Sequence, residues 1–160
     1  MSVTESISTS RLTLTPLNVT DAAEMVAVLS DPDLYTFTGG QPPTLAQLEE
    51  LYRRQSAGCP RGDEIWHNWI LRLEGTAIGY VQATVKGDCA ELAWVVGSPW
   101  QGSGYATEAS EAVKDRLGDR GATRFFAHIH PDHRASQAIA TRIGLRFTGQ
   151  LDDDGEMIWQ

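Results

Sequence analysis

Residues 101–106 read Gln-Gly-Ser-Gly-Tyr-Ala, with the strand-like run Ala90–Val96 ahead of them and a helical pattern behind. Two glycines so placed let the backbone come close to an anion and turn its N–H groups inward. A helix starting there adds the positive end of its dipole, so a phosphate needs no lysine. Two familiar phosphate loops do not fit. A P-loop ends in Gly-Lys-Ser/Thr, and the sequence has no such triplet. A dinucleotide fingerprint needs Gly-x-Gly-x-x-Gly, but Thr107 holds the third glycine's place. The acid expected about 20 residues later is also missing, since that region is Ala122–Arg124. By itself the hexad suits a phosphate cradle and a plain glycine-rich turn equally well.

Other reactive side chains are sparse. His128, His130 and His133 lie close together, and the first two share a strand face. No fourth ligand and no His-Glu-x-x-His pattern accompanies them, so no metal is expected. Cys59 and Cys89 have no CxxC spacing, which excludes a disulfide framework and a structural zinc site. The acidic run Asp152-Asp153-Asp154 reads as a solvated hairpin turn, with a hold for a cationic acceptor as the alternative.

The elements that must position these groups follow from periodicity. Leu12, Leu14 and Leu17 alternate with polar residues around Pro16, which predicts a strand. Asp21 with Glu24 predicts a capped helix over Ala22–Leu29. Residues 34–43 form a loop carrying Tyr35 and Phe37. Thr44 with Gln47 opens a helix with Leu45, Leu48, Leu51 and Tyr52 on one face. Residues 65–96 read as three antiparallel strands joined by short glycine-containing turns. A helix ending at Gly118, a strand Thr123–His130, a helix stopped by Gly144 and a last hairpin complete the chain. The order β-α-α-β-β-β-α-β-α-β-β describes a single α/β domain with a mixed sheet.

Composition sets the bounds. The chain has 160 residues, 41% of them hydrophobic and 21% charged, enough for one sizeable core. A net charge of −8 argues against nucleic acid and suits an amine-bearing partner better. No apolar run approaches the roughly 18 residues of a membrane span, and residues 1–10 lack the features of a signal peptide. The expectation is a cytoplasmic protein with no membrane partner, a flexible tail at 1–10 and a folded domain at 11–160.

Gln101-x-x-Gly104-x-Ala106 has the form Q/R-x-x-G-x-G/A, and the loop resembles the acetyl-CoA pyrophosphate loop of the Gcn5-related N-acetyltransferases, the GNAT family. "RLTLTPL", "AIGYVQATV", "AELAWVV", "GYATEA" and "HPDHRAS…RIGLRF" resemble, in order, the motifs of its RimJ/RimL-type branch. The likeness spans roughly residues 11–150. It implies a mostly antiparallel central sheet flanked by helices, acetyl-CoA as co-substrate without a metal, and direct attack by a primary amine. It further implies that Gln101, Gly102, Ser103, Gly104, Tyr105 and Ala106 hold the pyrophosphate, and that the backbone of Trp94, Val95 and Val96 pairs with the pantetheine arm. Glu91, at the start of the strand leading to the loop, is the expected base. Ser136 is the expected partner of the leaving thiolate, and His133 stands where the branch usually has Asn. Tyr35, Phe37, Trp66 and Asn68 are the acceptor-site candidates, whereas Trp69 falls on the core face of its strand.

Two departures from the family pattern matter. Thr141 occupies a position where many members carry a proton-donating tyrosine, and Leu145 follows Gly144 where the branch has Phe. His133 in place of the usual Asn and the missing tyrosine at Thr141 keep open an alternative, a catalytically silent acyl-CoA-binding sensor or interaction module on the same fold. The acceptor is left as a small amine, slightly favoured by chain length, or a protein N-terminus. Oligomeric state is open, homodimer included.

Overall fold

The structure, a computed structural model, describes residues 3–160. Its strands are β1 (Ile7–Ser8), β2 (Leu12–Pro16), β3 (Ile65–Leu73), β4 (Thr76–Lys86), β5 (Cys89–Val96), β6 (Arg124–Ile129), β7 (Phe147–Leu151) and β8 (Met157–Trp159). The helices are α1 (Ala22–Val28), α2 (Leu45–Ala57), α3 (Tyr105–Asp119) and α4 (Arg134–Arg142). The strands form one sheet in the order β1-β2-β3-β4-β5-β6-β8-β7. Every pairing is antiparallel except β5 with β6. This is the expected mixed, mostly antiparallel α/β domain.

Alternation along the strands divides the core into two layers. Leu14, Trp69, Leu71, Val81 and Leu92 turn to one face and pack with Ala109 and Val113 of α3. Ile70 turns to the other face, against Met25 of α1 and Leu48 and Tyr52 of α2. Trp69 is 2% exposed, so it is a packing residue as its strand face implied. On α2 the expected apolar face is only half used. Leu48 and Tyr52 are buried, while Leu45 and Leu51 are 42% and 37% exposed, because the helix stands off the sheet over a groove.

Two local expectations need correction. The tail is tied down from Thr4 onward: Ile7 is buried and pairs with Leu14, and Glu5 O accepts from Trp69 Nε1 at 2.8 Å. The Ser/Thr-rich composition hid these long-range contacts; residues 1–2 lie outside the described part. The cap of the first helical segment is Asn18, not Asp21. Its side chain accepts from Thr20 N, and Asp21 reaches back to Asn18 N, opening a 3-10 turn ahead of α1. Glu24 is therefore free to pair, with Asp21, to Arg72 of β3 at 3.1 and 2.9 Å. The Thr44–Gln47 box opens α2 as the spacing predicts.

His67 sets a pH limit on stability. It is 3% exposed, bonded to Thr4 Oγ1 at 2.7 Å, and burial followed by nearby Arg120 holds its pKa below the ordinary histidine value. An unfolded histidine titrates near about 6.5, so below that pH the unfolded chain binds more protons than the folded one. The stability from neutral His67 is present above that pH and lost below it. Urea midpoints should hold steady from about pH 8 to 7 and fall from about 6.5 downward, and His67→Gln should flatten that limb. An unchanged limb would place the acid sensitivity elsewhere.

Candidate active site

The parallel pairing of β5 with β6 lasts only from Cys89–Arg124 to Glu91–Phe126. Beyond it β6 turns to β8, pairing Ala127 with Trp159, while β5 continues along β4 to Val96. A fork opens, and residues 92–96 of β5 have no strand on their β6 side. Since the two strands are parallel, both leave the fork at the same end, and each feeds the start of a helix, α3 or α4. Two positive helix ends thus meet the mouth of a gap lined by free backbone, an arrangement for an extended, anionic ligand.

The loop into α3 fits the anionic part. Gly102 and Gly104 have φ of 81° and 83°, values L side chains rarely adopt. Among the described residues, no acceptor engages the N–H groups of Gly102 through Thr107. The loop is braced from behind. Arg11 donates to Ser103 O at 2.9 Å and to Glu108 Oε1 at 2.8 Å, with its guanidinium 4.4 Å above the Tyr105 ring. Gln101 Nε2 donates to Val96 O at 2.9 Å, closing the end of the free β5 edge rather than reaching outward. Ala106 is 9% exposed and belongs to the core beneath the loop. Sequence reasoning missed Arg11, and only tertiary contact marks it.

At the start of α4, Ser136 is 8% exposed and its Oγ lies 3.3 Å from His133 Nε2. The His133 ring stacks on Phe37 with centroids 4.7 Å apart. Burial, and then His130, lowers the His133 pKa, so its imidazole is neutral near pH 7. Thr141 donates to Gln137 O at 3.0 Å and is committed within its own helix. The three clustered histidines do not converge. His130 accepts from Asp132 N, while His128 lies 3.4 Å from Glu91 Oε1 and 2.8 Å from Asp152 Oδ2.

Glu91 is the last paired residue before the fork. Its side chain is 51% exposed and points to the α1/α2 face with Ala93 and Val95. The Asp152 carboxyl is held below its ordinary value by the Glu156 N–H and then by His128. Asp152 is thus neither a merely solvated turn residue nor a free hold for a cation, but the outer member of an Asp152–His128–Glu91 chain.

On this same face lies a cavity of 290 Å³ between the sheet, α2 and the loop after α1. Tyr35 and Asn68 line it, together with Tyr80, Gln82 and Val95, which sequence reasoning did not single out. A second lobe, also 290 Å³, continues outward past Trp66, Thr84 and Arg54. Strand register joins the lobes to the fork, because Gln82 sits across from Ala93 and Thr84 across from Glu91. Phe37 is the one acceptor candidate the structure places elsewhere, against His130 and His133 and not on the cavity wall.

A family model described as acetyltransferase (GNAT) domain matches residues 11–146. A comparison with curated proteins returns no match. Among solved structures, RimL, a ribosomal L7/L12 alpha-N-protein acetyltransferase in complex with coenzyme A, superposes with a TM-score of 0.83. It is 16% identical, over 97% of this chain and 95% of that one. The microcin C7 self immunity acetyltransferase MccE, in complex with acetyl-CoA and AMP, gives 0.80 at 16% identity, over 94% and 91%. An acetyltransferase from Agrobacterium tumefaciens gives 0.76 at 25% identity, over 99% and 94%. No helix among the described residues is long and apolar enough to cross a membrane.

Proposed function

The chain belongs to the GNAT acetyltransferase family, and from that premise we propose that it transfers acetyl from acetyl-CoA to a primary amine in the cytoplasm. The observation carrying this reading is the fork between β5 and β6, with two helix N-termini and the unengaged N–H groups of Gly102 through Thr107 at its mouth. The residues present suit the ligand. The pyrophosphate would rest on the Gly102–Thr107 amides, and the pantetheine arm would complete the free edge of Trp94–Val96. Acetyl-CoA supplies an activated thioester; everything else falls to the protein.

The amine must arrive neutral, close and aligned. The cavity holds the acceptor on the α2 side of β5 with its nitrogen toward Ala93. As nitrogen bonds the acetyl carbon and the C–S bond breaks, the nitrogen's proton passes to Glu91, directly or through water. A β5 N–H polarises the carbonyl from the fork edge. The Ser136 hydroxyl, held by neutral His133, hydrogen-bonds the departing thiolate.

Acetyl-CoA should raise the melting temperature, by about 5–10 °C at a hundredfold excess over Kd, while ATP and NAD should not. Free CoA should then appear with a panel of primary amines. Stabilisation without CoA release from any amine would favour the silent acyl-CoA-binding module. Stabilisation by ATP or NAD alone would overturn the reading.

A further inference from the structure

The composition of the acceptor cavity carries more than its presence. Although the chain's net charge is −8, the inner lobe has no charged side chain on its wall among the described residues. Its wall is largely Leu17, Leu29, Leu34 and Leu48 with the rings of Tyr35 and Tyr80, while Thr38, Gln41, Gln55, Asn68 and Gln82 add neutral polar groups, Gln82 lying across from Ala93 of β5. Burial pushes the Tyr80 hydroxyl up to about 12, so it stays neutral throughout the useful pH range. Nothing there compensates a cation. A polycationic amine would lose hydration in this lobe without gaining a counter-ion, at high cost.

The outer lobe has one charged wall residue, and its sign is opposite to what a polyamine needs. Arg54 of α2 stands over Trp66 and Thr84 and makes no ion pair among the described residues. Its neighbour Arg53 is engaged by Glu49 and Glu50. A guanidinium left free beside a small cavity is suited to a carboxylate. The two lobes meet at Leu51, Gln55, Asn68 and Gln82, next to the point where the nitrogen must approach β5. An apolar pocket on one side of the nitrogen and a cation on the other match the substituents of an α-carbon. At 290 Å³ each, the lobes lie at the lower end of the usual range for ligand sites, about 300 Å³ upward.

The base agrees with this. Glu91 is half exposed and reaches no more than His128, a modest device for removing a proton. The α-amine of an amino acid is less basic than an ε-amine, which titrates near about 10.4, so it needs less help at neutral pH. Resting on the acetyltransferase reading, we propose that the acceptor is a free α-amino acid with a large apolar or aromatic side chain. The side chain fills the inner lobe, the carboxylate faces Arg54, and the α-amine is acetylated.

The test compares L-phenylalanine and L-leucine with phenethylamine, phenylalanine amide, a Phe-Gly-Gly tripeptide, spermidine and Nα-acetyl-lysine. It reads CoA release and, independently, calorimetric binding to the CoA-saturated protein. Phenylalanine or leucine should exceed phenethylamine and the amide at least tenfold in kcat/KM. Arg54→Ala should bring the phenylalanine-to-phenethylamine ratio close to one, mainly through KM. Preference for spermidine or acetyl-lysine overturns the proposal, and so does preference for the tripeptide, which would assign the outer lobe to a polypeptide. A ratio that Arg54→Ala does not change removes the carboxylate contact. Binding without turnover on any amine would sink the acetyltransferase reading while leaving the acceptor class decided by calorimetry. Turnover of other amines alone would sink only the acceptor class.

Discussion

Gly79→Ala should cost the protein about 3 kcal/mol or more, lowering its melting temperature by roughly 6–12 °C. A Cβ built on Gly79 would collide with Val95 O and meet Val96 Cα at 2.9 Å. Both atoms are backbone, so no rotamer change relieves the clash and one strand must move. Gly79 faces Val96 across β4–β5, beside an irregularity where the β3–β4 register shifts between Leu71 and Arg72. The close approach lets β5 stay on β4 after β6 has left it. Displacing Val95 and Val96 disturbs the free edge of the fork and the cavity wall together. Stabilisation by acetyl-CoA should therefore shrink as well as the melting temperature. Gly118→Ala is the contrast: its Cβ meets nothing nearer than Phe125 Cζ at 4.0 Å, at the end of α3. That change should be neutral or stabilising by up to about 1 kcal/mol. Equal melting temperatures for the two variants would show that the β4–β5 approach is dispensable.

Glu91→Gln should lower kcat about a hundredfold near pH 7 while leaving the affinity for acetyl-CoA near its original value. The carboxylate faces the acceptor side, across the strand from Thr84, and the phosphate loop lies at the far end of β5. Glutamine keeps the shape and removes the proton acceptor. If the acceptor carries an α-amine, the deficit should narrow as the pH rises toward that amine's own pKa, where more of it arrives already neutral. Asp152→Asn should give a milder loss, because Asp152 acts through His128 by fixing which ring nitrogen faces Glu91. Steady-state rates over a pH series check both. A wild-type kcat and pH profile in Glu91→Gln would assign deprotonation to solvent.

How much of this was legible in the chain depends on the range of each interaction. The Thr44–Gln47 box, the glycine turns of the β3–β4–β5 meander and the Gly144 stop rest on contacts within a few residues, and a short window suffices for them. The same holds for the loop at 101–106, whose glycines, expected to let the backbone approach an anion, adopt positive φ. Asn18 and Asp21 show the limit of such windows. Two pairs with the same three-residue spacing competed, and the 3-10 entry to α1 selected the earlier one. Ile7 shows it more sharply, since a single apolar residue in a Ser/Thr-rich segment gives no periodic signal, yet Leu14 and Trp69 hold that segment in the sheet.

The sequence by itself determined the family and the element order and pointed to the loop proposed to hold an anionic donor, because those depend on local pattern and glycine geometry. Only the tertiary structure decided which residues surround the proposed acceptor cavity. Arg11 reaches Glu108 and Ser103, Asp152 reaches His128 and through it Glu91, and Arg54 shares a cavity with Trp66 and Thr84. Each of these contacts joins residues that the chain separates and the sheet brings together, so no spacing rule encodes them. The chain's overall acidity pointed toward a cationic acceptor. The cavity wall, apolar inside and cationic at its rim, points instead to an apolar amine that carries its own negative charge.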